Sequence, residues 1–156
     1  MSNNALLIVV IASGIAYGTP LLYASLGELL AERSGVLNLG VEGMMLVGAV
    51  MGFWTVNRVH GNTGLVLAAA IGVAALAGAA MALIHAFLVI TLRASQIVSG
   101  LALTIFAGAA GLSSYLGNDL NLSDQPANHQ FNPIFPTSMQ NWKVVGPILF
   151  GQDVLV

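Results

Sequence analysis

Apolar residues run along this chain in long blocks, and short polar groups punctuate them. The first block extends from Ala5 through "LLIVVIASGIAYGTPLLYASLG" to residue 27. The second covers about Val41 to Val56 and closes on "NRVHGN"; the third runs from Thr63 to Ile90, and the fourth from Ile97 to about Leu116. A crossing of a hydrocarbon layer about 30 Å thick takes about 20 residues, so four membrane spans are predicted: 5–27, 41–56, 63–90 and 97–116. The third is long enough to tilt or to project beyond the bilayer. Pro20 is expected to kink the first, with Thr19 and neighbouring helices able to satisfy the freed carbonyl. The opening "MSNN" carries no positive charge and the run behind it is too long for a cleaved signal peptide.

Beyond Gly117 the pattern changes. Residues 118–147 are rich in Asn, Pro, Ser and Gln, with Trp142 and other aromatics, and read as a long extramembrane loop that grazes the interface. "ILFGQDVLV", residues 148–156, starts another apolar run too short to span, so a fifth helix is expected to begin there and to be cut short.

Composition fixes the solvent. Apolar residues make up 57% of the chain and charged ones 6%, with a mean hydropathy of +0.88, against about 25% charged in an ordinary soluble domain. Four basic and six acidic side chains cannot cover a soluble core of this size. The expected fold is therefore all-α: a polytopic integral membrane helical bundle, about four transmembrane helices plus the start of a fifth, in one partial domain over 1–156. The sequence contains no cysteine, which excludes disulfides, thiolate metal sites and cysteine nucleophiles. It has no basic run to suit nucleic acid and no "HExxH", "GxSxG" or glycine-rich phosphate loop. No enzyme activity and no metal site are expected.

Tails are as apolar as leucine, so helices in lipid associate through close approach of small residues. Ala70, Ala74, Gly78, Ala82 and Ala86 fall four apart in the third span and line one stripe. Gly48 and Gly52 in the second span repeat the device, as do Gly100, Thr104 and Gly108 in the fourth. Three such faces suit a compact bundle or a dimer of bundles.

One stretch does not fit its surroundings: "ERSGVLNLGVEGMM", residues 32–45. Glu32 and Arg33 mark where the first span leaves the membrane, and Glu28 shares a face with Glu32 on a continuous helix. Asn38 and Glu42 share a face if the second helix has begun by then, with Glu42 at its N-terminus, where the dipole favours a carboxylate. Glycines at 35, 40 and 43 instead suggest broken backbone, tolerated at membrane depth only when buried in protein or lining a water-filled path. Gln96 and Ser99, three apart, share a face: they offer donors to a sugar hydroxyl or a base edge, or bond helices together. His85 is expected as a histidine bonded to backbone or a neighbouring helix rather than a proton relay. The candidate pathway residues are Asn38, Glu42, Gln96 and Ser99.

"GTPLLYASLGELLAERSGVLNLGVEGMMLVGA", residues 18–49, resembles the signature of the permease subunits of ABC importers that handle nucleosides, ribose and related simple sugars. "LRASQIVSGLALTIFA", residues 92–107, is similar to that family's next marked segment, and "VVGPILFGQ", residues 144–152, to the opening of its following helix. The wording of "ERSGVLNLGVEG" is nearest to the nucleoside branch. The resemblance implies a subunit of the bacterial inner membrane that pairs with a second, related permease. A cytoplasmic ATPase subunit binds the ATP, so the chain itself needs no cofactor, and an extracytoplasmic lipoprotein delivers the substrate. Permeases of this family are longer, with a cytoplasmic coupling segment after the fifth helix. The resemblance thus makes this chain the N-terminal half of such a subunit, not expected to transport alone. Positive charge ties on orientation, Arg33 and Arg93 against Arg58 and Lys143; the coupling segment breaks the tie and puts the N-terminus outside. The rival is a secondary carrier using Glu28, Glu42 and His85, although carriers hold their repeats in one complete chain.

Overall fold

The computed structural model describes residues 3–108, 110–122, 126–127, 129–133, 135–142 and 145–153, and the described residues form helices and no strands. Helix α1 spans Asn3–Arg33, α2 Val41–Arg58, α3 Thr63–Ala86, α4 Gln96–Ala107, α5 Leu112–Asp119 and α6 Thr137–Gln140. Single π-helical turns cover Phe87–Thr91 and Gly146–Phe150. Lys143 and Val144 lie outside the described residues. The chain forms two compact units, Met1–Ser25 with Phe131–Val156, and Leu26–Gln130.

Among the described residues, three helical stretches are long and apolar enough to cross a membrane: Leu6–Arg33, Thr63–Thr91 and Gln96–Asp119. The second predicted span corresponds to α2, whose 18 residues measure about 27 Å and end on Asn57 and Arg58. The fourth is two helices in sequence rather than one. Gly108 turns to extended backbone after α4, and a side chain on Gly111 would run into the Phe106 carbonyl. Helix α1 continues past residue 27 without interruption and carries Pro20 internally. Thr19 Oγ1 donates to the Ile15 carbonyl at 2.9 Å, one residue before the carbonyl that proline leaves free.

In the larger unit α2 packs on α3 and α4 around Met44, Val47, Met81, Leu103 and Ala107. Beside this core the helices approach closely at their glycines. A methyl group placed on Gly48 would lie 3.1 Å from the Ala74 carbonyl oxygen; one on Gly52 would lie 3.2 Å from the Ala74 methyl and 3.5 Å from the Ala70 carbonyl. A methyl on Gly78 would lie 3.7 Å from the Met44 carbonyl oxygen, and Ala82 packs against the core. On the α4 side Gly43 would meet the Leu103 carbonyl at 2.9 Å. Outward-facing leucine and isoleucine remain bare, Leu76 at 72% and Ile105 at 77% exposure, a surface suited to lipid rather than water. Asn62 caps α3 by accepting from the Gly64 amide at 2.9 Å.

In the smaller unit Gln152 Nε2 donates to the Ala12 and Ile148 carbonyls at 3.2 and 3.3 Å. Phe150 meets Phe135 and Trp142 edge-on, with ring centroids 4.8 and 5.9 Å apart. Where a fifth helix was expected to begin, the described residues hold the π-helical turn Gly146–Phe150 and then leave helical geometry.

Candidate functional site

Residues 34–40 separate α1 from α2, and local chemistry explains why the helix stops. Gly35 adopts φ +84°, a left-handed conformation that glycine takes without steric cost. The Val36 amide reaches back to the Ala31 carbonyl at 3.1 Å and the Gly35 amide to Glu32 at 2.9 Å, the paired bonds of a glycine-terminated helix. Helix α2 starts only at Val41, after Gly40. Asn38 therefore does not share a helical face with Glu42. Its Oδ1 instead accepts from the Gly40 amide at 3.1 Å, a local turn that Asn favours over helix. Its Nδ2 points to Met44 Sδ at 3.5 Å.

Between these turns residues 36–38 are neither helix nor strand, so most of their backbone polar groups need partners from elsewhere. Side chains of three helices supply them. From α1, Glu28 Oε1 accepts from the Asn38 amide at 2.8 Å. From α4, Gln96 uses both ends of its amide: Oε1 accepts from the Leu37 N–H at 2.7 Å and Nε2 donates to the Gly35 carbonyl at 3.2 Å. Thr104 Oγ1, also on α4, donates to the Leu39 carbonyl at 2.7 Å. From α3, His85 Nε2 lies 3.3 Å from the Leu37 carbonyl while its Nδ1 lies 3.1 Å from Ser99 Oγ. His85 and Ser99 are both buried. Gly100 lets α4 press against the segment: a methyl there would lie 2.9 Å from the Leu39 amide nitrogen. The arrangement holds an irregular strand of backbone among apolar helices at little polar cost, because each bonded group has exchanged water for a side chain.

The structure brings Asn38, Gln96 and Ser99 together, Ser99 acting through His85. Glu42 is not part of this arrangement; it is exposed in the first turn of α2. Gly108 meets the Thr104 carbonyl of its own chain turn rather than another helix. Glu28, His85 and Thr104 complete the site and were not among the pathway residues predicted from sequence. Thr104 was visible only as one of three small residues on a stripe, and Glu28 as the i−4 neighbour of Glu32 and as an ion-site residue of the rival carrier. Glu28 Oε2 is a buried side-chain oxygen with no hydrogen-bond partner among the described residues.

The pattern that defines the family described as "Branched-chain amino acid transport system / permease component" matches residues 10–145, a range containing the broken segment and all of its holders. The chain belongs to this permease family. It is 33% identical over 154 residues to a nucleoside ABC transporter permease protein of Lactococcus lactis, covering 94% of this chain and 46% of that one. It is 37% identical over 112 residues to a guanosine ABC transporter permease protein of Bacillus subtilis, covering 69% and 34%. A Haloferax volcanii protein, provisionally named as a glucose ABC transporter permease, is 51% identical over 100 residues, 64% of this chain and 28% of that one. The chain spans less than half the length of these curated relatives. No solved structure matches it significantly.

Proposed function

We propose that this chain forms the part of an ABC importer permease that moves nucleosides or simple sugars into the cell, with the broken segment at 34–40 bordering the solute path. One observation carries the reading: irregular backbone at one end of an apolar bundle, held by side chains of α1, α3 and α4. Such backbone is tolerated at membrane depth where protein buries it or water reaches it. The substrate class follows the named relatives, two nucleoside permeases and one sugar permease. Nucleosides and sugars share hydroxyl groups that a path lined with amides and hydroxyls suits.

The partners in this reading are a second, related permease subunit, a cytoplasmic ATPase and an extracytoplasmic binding lipoprotein; the ATP belongs to the ATPase. The membrane is the bacterial inner membrane. Four crossings remain the proposed count. Gln96 touches Gly35 and Leu37, so the turns at 34–40 and 92–96 lie at one end of the bundle. Because α3 runs from one side to the other, α2 must bring the chain back across. With the N-terminus outside, both turns, with Arg33 and Arg93, face the cytoplasm, and the break is an inner mouth.

A secondary carrier fits less well, because both ring nitrogens of His85 are already engaged and Glu42 stands outside the cluster. Vesicles holding the complete importer are expected to accumulate labelled nucleoside or sugar when ATP is supplied, with or without an uncoupler. Uptake that collapses with the uncoupler yet ignores ATP depletion would establish the carrier instead.

A further inference from the structure

We infer that His85 is the positioning residue of the break: with its proton on Nε2 it holds the Leu37 carbonyl, and it is itself oriented by Ser99. A carbonyl oxygen offers only lone pairs, so the bond to Leu37 requires a donor at Nε2. With the proton there, Nδ1 accepts and the Ser99 hydroxyl donates to it across 3.1 Å. The two partners thus fix both the tautomer and the ring orientation, as a ring flip would exchange each bonded nitrogen for a carbon. At 3% exposure for His85 and 7% for Ser99, neither group has an alternative partner in solvent or lipid.

Leu37 is consequently pinned at both backbone groups, its N–H by Gln96 on α4 and its C=O by His85 on α3. These holders sit on either side of the turn that joins α3 to α4. Any movement of one helix end past the other must therefore break one bond or the other. His85 touches backbone and a serine, so its influence falls on how the segment is held and not on solute recognition. The transport consequence rests on the proposed function; the tautomer does not.

Two measurements on the complete importer separate these parts. Nitrogen-15 NMR of labelled histidine, with His85 assigned by difference from His85→Gln, is expected to show the Nε2–H tautomer. An Nδ1–H tautomer or a doubly protonated ring overturns the assignment. In uptake assays His85→Gln, which keeps a donor near the Nε2 position, is expected to retain at least half of the maximal rate. His85→Leu is expected to lower that rate about tenfold, the cost of one buried hydrogen bond, with half-saturation unchanged within about twofold. A raised half-saturation constant at unchanged maximal rate would make His85 a solute contact and overturn the positioning role, as would a normal His85→Leu. Should His85→Leu fail to assemble, His85→Asn, which keeps only the Ser99 bond, is expected to show the same rate loss. An importer without ATP-driven uptake would end the proposed function while leaving the tautomer result intact.

Discussion

Replacing Gln96 by Leu is expected to lower uptake by the complete importer at least about tenfold while the subunit still inserts and assembles. Leucine fills nearly the same volume but removes two hydrogen bonds, to the Leu37 amide and to the Gly35 carbonyl. The Leu37 amide, left without a partner in this part-buried place, costs about 1–3 kcal/mol, while the exposed Gly35 carbonyl can turn to water. That loss is enough to shift the population of the broken conformation by an order of magnitude or more. Glutamate at this position keeps an acceptor for Leu37 but sets a carboxylate oxygen against the Gly35 carbonyl, so Gln96→Glu should resemble Gln96→Leu rather than the parent. Uptake of labelled nucleoside, normalised to assembled subunit in the membrane, checks both. Parental uptake in Gln96→Leu would mean that the clamp has no part in transport.

The second large effect is steric. Gly100 stands where α4 crosses the break, and a methyl there would come within 2.9 Å of both the Leu39 amide nitrogen and the Leu39 Cβ, and 3.1 Å of the Gly40 nitrogen. These are backbone or near-backbone atoms tied by the Thr104, Glu28 and Asn38 bonds, so they cannot swing aside. Gly100→Val is expected to push the segment off α4 and to break the Thr104 bond with it. The cost is about 1–3 kcal/mol from overpacking together with the bond, read as a clear drop in the thermal unfolding midpoint of the detergent-solubilised complex. Gly72→Val is the control: it lies on the exposed side of α3 with nothing within 4 Å of its would-be Cβ, and its midpoint should stay near the parent. Equal midpoints for the two variants would contradict the close crossing.

Much of this architecture was legible in the residues, for identifiable reasons. Long apolar blocks announce helices, and the four blocks correspond to α1, α2, α3 and the α4–α5 pair; α2 is not among the three stretches long and apolar enough to cross a membrane. Of the glycines at 35, 40 and 43 that suggest broken backbone, Gly35 takes a left-handed φ and Gly40 precedes α2, whereas Gly43 lies inside regular α2, where its missing side chain admits α4 instead. Spacing could not reveal which side chains would satisfy that backbone. Glu28 lies 10 residues and Gln96 59 residues from the groups they bond, so no local period connects them. The pairing of Asn38 with Glu42 failed because it assumed a helix that Gly40 and the Asn38 turn postpone to Val41. The division of the fourth block at 108–111 was hidden because glycine in an apolar run reads equally as a packing residue and as a break.

The central claim is that the segment at 34–40 meets water inside an otherwise lipid-suited bundle, and thiol labelling tests it most directly. The chain contains no cysteine, so single replacements in it are unambiguous. Leu39, 39% exposed, lies in the break, whereas Leu76, 72% exposed, faces outward from α3. In the assembled importer, made free of other reactive thiols, Leu39→Cys is expected to react with a charged, membrane-impermeant reagent applied to the cytoplasmic face, and more slowly when transported solute is present. Leu76→Cys should stay unreactive despite its greater exposure, because lipid covers it. Leu39→Cys as inert as Leu76→Cys, from either face and with or without solute, would show that no wet passage reaches the break.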